Sequence, residues 1–240
     1  MLEGQKCLVI GSGISGIGAV ALLEKYHADV VLYDSSDKLT KEDLEAKLPG
    51  ESKAVCIAGE LPEEVELSIQ AAVLSPGVPT DIPLVNRMRD RGVQILGEIE
   101  LGFLAEQGRV IAITGTNGKT TTTTLTGEIM KAHFGAEKTF VVGNIGNPYT
   151  LEVTKTSKDS VTVGEISSFQ LETIHTFHPV VSAILNITPD HLNRHYTFEN
   201  YANCKLDITK NQTKEDYAVM NYDDPETVKR IDKVPATVIL

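Results

Sequence analysis

Val110-Ile111-Ala112-Ile113-Thr114-Gly115-Thr116-Asn117-Gly118-Lys119-Thr120-Thr121-Thr122 decides the fold. An apolar run, a turn with two glycines and then a lysine followed by hydroxyl residues predict a buried strand, a loop and a helix that begins at Lys119. That geometry aims backbone N–H groups and a helix N-terminus at one point, where polyphosphate binds. Lys119 adds a point charge for the phosphates, and the Thr120 hydroxyl suits Mg²⁺. The common loop pattern G-x-x-x-x-G-K-[ST] asks for glycine where Ile113 stands; Gly115 comes two residues later. Gly115, Thr116, Asn117, Gly118, Lys119, Thr120 and Thr121 are the candidate phosphate-binding residues. The plain alternative is a glycine turn beside a surface lysine.

Outward from this segment, strand and helix signals alternate along the chain. Strands are expected at Lys6 to Ile10, Asp29 to Tyr33, Ala54 to Ala58, Ala71 to Leu74 and Val93 to Leu96. After a connecting helix at Gly97 to Glu106 the pattern restarts at Arg109. Further strands are expected at Thr139 to Val142, Ser160 to Glu165, Val180 to Asn186, Tyr217 to Asn221 and Ala236 to Leu240. Short apolar strands between helices imply parallel sheets covered on both faces. The expected class is α/β: a Rossmann-like parallel-sheet domain over residues 1–96, then a P-loop-type α/β ATPase domain over residues 97–240. The last apolar run reads as a strand with no helix after it: either it is an unusual terminal element, or the chain is a fragment and the second domain is incomplete.

Gly11-Ser12-Gly13-Ile14-Ser15-Gly16 follows the first strand and opens a helix, a G-x-G-x-x-G match in its proper context. Asp34 ends the next strand, where an acidic residue meets a ribose hydroxyl in dinucleotide-binding folds. Alone, these features suggest an NAD-binding oxidoreductase, yet no hydride-transfer constellation accompanies them. A tight turn needing small residues explains the glycines equally well. Ser75-Pro76-Gly77-Val78-Pro79 forms a second turn after a strand, pointing at the same crevice.

Composition narrows the class. Of 240 residues, 41% are hydrophobic and 23% charged, ordinary values for a globular chain. No apolar run reaches membrane-spanning length, and Met1 is not followed by a basic then apolar leader, so a cytoplasmic location without a membrane partner is expected. Cys7, Cys56 and Cys204 are scattered without metal-ligand spacing. A net charge of −11 argues against nucleic acid as a partner.

Three segments after the loop carry further chemistry: Gly143-Asn144-Ile145-Gly146, Glu165-Ile166-Ser167-Ser168-Phe169-Gln170-Leu171-Glu172, and Asn186-Ile187-Thr188-Pro189-Asp190-His191-Leu192-Asn193-Arg194-His195. Each follows a strand. Glu165 falls at a strand's C-terminal end, where a carboxylate can hold Mg²⁺. Separately, Glu165 reads as a solvated side chain, Asp190 as a helix cap and His191 as a surface residue. In a parallel sheet the strand ends lie in one row, so Lys119, Thr120, Asn144, Glu165 and His191 are expected to converge.

With these motifs in this order, the chain resembles the Mur ligase family of ATP-dependent amide-forming ligases, and the string Ile166 to Glu172 resembles its D-glutamate-adding branch. The resemblance implies UDP-N-acetylmuramoyl-L-alanine, ATP and D-glutamate as substrates, with ligation through an acyl phosphate in peptidoglycan precursor synthesis. It implies that Ile14, Ser15, Asp34 and Ser35 face the uracil end, and that Gly77, Asn144 and His191 border the diphosphate and sugar. It implies further that Lys119 binds the ATP phosphates, that Thr120 and Glu165 hold one Mg²⁺, and that His191 helps hold a second. Lys205 matches a lysine that family members carbamylate, which makes it a metal ligand; Lys119, His191 and Lys205 are the catalytic set. A monomer is expected at full length. Two departures stand out: Asn193 replaces a common acidic residue, and Ser36 stands where a basic one is frequent. Family members also carry a third domain, which this sequence stops short of, so the 240 residues alone are expected not to ligate. A non-catalytic nucleotide-binding module is the remaining alternative.

Overall fold

The computed structural model describes residues 2–240. They form two compact units. The first unit runs to Ala105 and also takes in Pro148–Thr154 and Thr173–His175; the second holds Glu106–Asn147, Lys155–Glu172 and Thr176–Leu240.

In the first unit, the order is β1 (Lys6–Ile10), α1 (Ile14–Lys25), β2 (Asp29–Asp34), α2 (Lys41–Glu45), β3 (Val55–Ala58), α3 (Glu63–Ser68), β4 (Ala71–Leu74), α4 (Pro83–Asp90), β5 (Gln94–Gly97) and α5 (Glu98–Ala105). The strands pair in parallel in the order β3-β2-β1-β4-β5. Central β1 is apolar because both faces are covered: Cys7, Leu8 and Val9 are fully buried. Leu8, Ile10, Val31, Ala72 and Leu74 form one core with Val85 and Met88 of α4. Each Val, Leu, Ile or Met side chain among them contributes about 1.5–3 kcal/mol on burial. Gly16 is required at the start of α1, since a Cβ there would lie 1.9 Å from the Gly11 carbonyl oxygen.

The second unit begins with β6 (Arg109–Thr114) and α6 (Lys119–Phe134), followed by β7 (Thr139–Gly143). The chain then contributes α7 (Tyr149–Glu152) to the first unit. There, buried Glu98 accepts hydrogen bonds from the backbone N–H and the hydroxyl of Thr150, both at 2.8 Å. The second unit resumes with β8 (Val161–Glu165), α8 (Ser168–Leu171), β9 (Val181–Ile184), α9 (Leu192–His195), α10 (Phe198–Leu206), β10 (Tyr217–Met220), α11 (Pro225–Val228) and β11 (Thr237–Ile239). All its strand pairs are parallel, in the order β11-β10-β9-β6-β8-β7.

The expected α/β class with two parallel sheets is what the chain forms. The last strand, β11, pairs with β10 and lies at the edge of the described sheet. Its short run of Val and Ile fits an edge as well as a centre. No described helix is long and apolar enough to cross a membrane. All three cysteines are buried and free.

Candidate active site

The loop after β6 is built for close approach. Gly118, the residue before α6, has φ 84, a left-handed conformation that glycine takes without strain. Lys119 folds back across the loop and donates to the carbonyl oxygens of Gly115 and Thr116 at 2.9 and 3.0 Å. Thr120 and Thr121 lie in the first turn of α6. A second loop braces this one. The Asn186 side chain accepts from the Asn117 N–H at 2.8 Å and donates to the Asn117 carbonyl at 3.0 Å. Thr116 donates its N–H to the Asn186 carbonyl at 2.9 Å, and its hydroxyl accepts from the Thr188 N–H at 3.0 Å.

Glu165 ends β8 and is 1% exposed. Its two carboxylate oxygens accept from the Thr120 hydroxyl at 2.9 Å and the Asn144 amide at 2.7 Å. Asn144 is placed for this by its own N–H, which donates to the Glu165 carbonyl at 2.8 Å. Both side-chain donors are neutral, so the buried charge is hydrogen-bonded but not neutralised.

Lys205 comes from α10 and is 2% exposed. Its Nζ donates to the Gly115 carbonyl oxygen at 2.7 Å, the same oxygen that Lys119 approaches. Burial, and after it the Lys119 charge, push the Lys205 amine down to about 7. Its Nζ lies 4.7 Å from the centre of the Tyr201 ring, and the Tyr201 hydroxyl shares a hydrogen bond of 3.0 Å with that of Thr116. Sequence reading gave Tyr201 no role; its signal was its place one helical turn before Lys205, on the same face.

His191 sits in a left-handed backbone conformation, φ 51, just before α9. Its N–H is taken by the Asp190 carboxylate at 2.8 Å, and its ring lies 4.9 Å from that of Phe169. Arg194, also in α9, grips Glu172 through Nε at 3.1 Å and Nη2 at 2.6 Å and lies over Phe169 at 4.9 Å, anchoring the turn. Lys119, Asn144, Ser168, His191, Tyr201 and Lys205 line one cavity of about 220 Å³. The expected convergence of Lys119, Asn144 and His191 therefore occurs, with Lys205 among them and Thr120 and Glu165 hydrogen-bonded alongside.

The first unit holds a separate cavity of about 600 Å³ at the carboxyl ends of β1, β2 and β4, with Gly11, Asp34, Ser35 and Gly77 in its lining. Ile14 and Ser15 are not part of that lining; Ile14 opens α1 and is 66% exposed. Burial disfavours an ionised Asp34, but hydrogen bonds from Ser12 and Ser36 and the Lys47 charge outweigh it and hold the carboxyl below its ordinary range. Asn144 and His191 belong to the other unit.

The pattern of the Mur ligase middle domain matches residues 113–240, and that of the MurD-like N-terminal domain matches residues 5–97. This chain belongs to the Mur ligase family. It is 52% identical over 236 residues to the UDP-N-acetylmuramoylalanine–D-glutamate ligase of Lachnoclostridium phytofermentans, covering 98% of this chain and 52% of that protein. To the enzyme of the same name from Lachnospira eligens it is 57% identical, covering 93% of this chain and 49% of that protein. The chain thus spans about half the length of the curated relatives it matches. Among solved Mur ligase structures, its fold is similar to that of UDP-N-acetylmuramate–alanine ligase MurC from Thermotoga maritima, with TM-score 0.53 and 20% identity, covering 94% and 51% of the two chains. It is also similar to UDP-N-acetylmuramate:L-alanyl-gamma-D-glutamyl-meso-diaminopimelate ligase (MPL) from Neisseria meningitides, with TM-score 0.59 and 14% identity, covering 98% and 76%.

Mur ligases use ATP and Mg²⁺, and the residues present fit both. Two ammonium groups converge on one carbonyl of a glycine loop, a surplus of positive charge suited to phosphate. The Glu165 carboxylate beside the Thr120 hydroxyl suits a hard cation. Among the described residues no group of three or more His, Cys, Asp or Glu forms a metal cage. Mg²⁺ characteristically binds one or two carboxylates together with substrate phosphates, so a full cage is not needed.

Proposed function

We propose that the protein carrying this chain is a cytoplasmic, monomeric ligase that joins D-glutamate to UDP-N-acetylmuramoyl-L-alanine at the expense of ATP, in peptidoglycan precursor synthesis. One observation carries the reading: Lys119 and Lys205 meet at the Gly115 carbonyl, in the same unit and beside the Glu165–Thr120–Asn144 cluster. The names of the half-identical relatives supply the substrate assignment. An NAD oxidoreductase is not favoured by any of these features, and the net charge of −11 argues against a nucleic-acid partner.

In this reading the alanine carboxylate of the nucleotide sugar attacks the γ-phosphorus of ATP and ADP leaves. The D-glutamate amine then attacks the resulting acyl phosphate, forming the amide, releasing phosphate and losing a proton to solvent. Two Mg²⁺ ions supply charge neutralisation along the phosphates. Thr120 and Glu165 would hold one of them, and His191 with a carbamylated Lys205 the other. Lys119 draws in and neutralises the migrating phosphoryl group. The glycine loop orients the phosphates through backbone N–H groups. Asp34 and Ser35, with Ile14 and Ser15, hold the uridine end, and Gly77, Asn144 and His191 border the diphosphate and sugar. Positioning and charge neutralisation, with little acid–base chemistry, account for the acceleration.

The test is D-glutamate-dependent phosphate release by the full-length protein, with ATP, Mg²⁺ and the nucleotide sugar present. Thermal stabilisation of the 240-residue chain by NAD, but not by the nucleotide sugar, would defeat the reading. Tight binding of the sugar by the full-length protein without any turnover would favour a non-catalytic module.

A further inference from the structure

The order β3-β2-β1-β4-β5 reverses its direction of winding between β1 and β4. Ligands of open parallel sheets bind outside the carboxyl ends of the strands at such a point. The 600 Å³ cavity of the first unit lies there, and its volume suits a nucleoside. Its walls are mostly apolar, with Ile10, Val78 and Ile82 among them; its polar side chains are Asp34, Ser35, Arg87 and Tyr33, whose hydroxyl is committed to the Gly59 carbonyl.

Arg87, on α4, is held in a fixed plane. Its Nε and Nη2 donate to the two carboxylate oxygens of Glu66 at 3.0 and 2.6 Å. Arg91 also binds Glu66, through Nη1 to the carboxylate at 2.8 Å and Nη2 to the backbone carbonyl at 3.1 Å. Two guanidinium groups thus share one carboxylate, leaving a net positive charge at the cavity wall. Arg91 alone suffices to tie α4 to α3, since it takes both the carboxylate and the backbone. Arg87 is the more exposed of the two, 56% against 31%, and its bonds to the described residues run through Nε and Nη2, not Nη1. Arg89 is different: its guanidinium is committed to Asn86 and the Thr80 carbonyl. Arg87 is therefore an oriented donor, aligned by its carboxylate, on the wall of an apolar slot.

We infer that Arg87 is a specificity-determining residue that donates to a ring carbonyl of the pyrimidine at the uridine end of the substrate. This rests on the uridine-nucleotide reading above. Uracil presents an N–H flanked by two carbonyls. The Asp34 carboxylate accepts from the N–H, and the Arg87 guanidinium donates to a carbonyl. Cytosine replaces one carbonyl with an amino donor and the ring N–H with an acceptor, so donor would face donor and acceptor would face acceptor. The pair of side chains selects uracil over cytosine by that mismatch.

The test is an NMR titration of the 240-residue chain with uridine, UDP and CDP. The parent is expected to prefer UDP to CDP. Arg87→Ala should weaken uridine and UDP alike, by about tenfold, and narrow the preference over CDP, with Arg87→Lys between the two. Arg91→Ala, which removes the other tie to Glu66, should lower stability and leave the UDP-to-CDP ratio unchanged. An unaltered ratio in a folded Arg87→Ala chain would overturn the inference. Weakening of UDP without weakening of uridine would assign Arg87 to the diphosphate and overturn the base contact. A parent chain that binds neither uridine nor UDP would instead overturn the ligase reading itself.

Discussion

Lys205 donates to the carbonyl oxygen of Gly115 at 2.7 Å, across 90 residues of sequence. The contact brings a buried amine from α10 to the loop where Lys119 already lies, so two like charges face one dipole. Loss of the Lys205 proton relieves this, and so does an anion. Phosphate is one such anion, and a carbamate on Lys205 itself is another.

A carbamate requires neutral amine, because an ammonium has no lone pair to attack CO₂. Burial and the Lys119 charge bring the Lys205 amine to about 7, so a large neutral fraction exists at mildly alkaline pH. The amine nitrogen bonds to CO₂ and releases a proton to solvent. In the presence of ¹³C-bicarbonate, the chain should show a carbamate resonance that is stronger at pH 8 than at pH 6 and absent in Lys205→Arg. In the full-length protein, a small added carboxylate should partly restore Lys205→Ala activity. An unmodified amine at pH 8 with Mg²⁺ and nucleotide bound would count against the assignment.

Lys119→Ala removes the charge that follows the migrating phosphoryl group. In the full-length protein the expected loss is roughly 10²–10³ in rate, or about 3–4 kcal/mol, the scale of deleting one preorganised donor. Activity within a factor of a few of the parent would place the phosphates elsewhere. Glu165→Ala should raise the Mg²⁺ concentration needed for half-maximal rate, and an unchanged Mg²⁺ profile would remove Glu165 from the ligand set.

Much of this was legible in the sequence, for a physical reason. Backbone periodicity fixes the alternation of strand and helix, and a parallel sheet brings the strand ends into one row. Lys119, Thr120, Asn144 and Glu165 follow from that alone. The brace between Asn186 and Asn117 does not, because a side-chain amide copying a peptide's donor and acceptor leaves no mark on the sequence. Nor do the left-handed conformations of His191 and Tyr196, which a histidine and a tyrosine do not announce. The docking of Thr150 against Glu98 was equally silent: the Thr150 N–H and hydroxyl both bind one Glu98 carboxylate oxygen, a pairing across 52 residues that no local pattern marks.

The Glu66 clamp gives a pH signature. The Arg87 hydrogen bond, working against burial and with help from Arg91, holds the Glu66 carboxyl at about 2, below its ordinary 4.5. A carboxyl depressed on folding contributes stability that is fully present above 4.5 and is lost as pH falls through 2. Since Arg87 is half exposed, the contribution is on the order of 1–2 kcal/mol. Urea unfolding of parent and Glu66→Gln chains should differ by that amount at pH 7 and converge toward pH 2. A difference that is the same at pH 7 and pH 2.5 would mean that the ion pairs contribute nothing measurable.

The Asn186–Asn117 brace predicts which substitution harms nucleotide binding most. Asn186→Ala strips both partners from the Asn117 peptide, two hydrogen bonds worth about 0.5–1.5 kcal/mol each, and frees the loop to sample other conformations. Asn186→Asp keeps the acceptor for the Asn117 N–H but turns a carboxylate oxygen toward the Asn117 carbonyl, in a site meant for phosphate. Nucleotide affinity should therefore fall by about tenfold in Asn186→Ala. It should fall further in Asn186→Asp, although aspartate is the closer isostere. Titration of the chain with Mg²⁺-ATP gives the order, and hydrogen exchange at residues 115–118 gives the cause: faster exchange in both variants, before any ligand is added. If Asn186→Asp binds nucleotide as tightly as the parent, the brace is incidental and the loop is held by Thr116 and its partners Thr188 and Tyr201 alone.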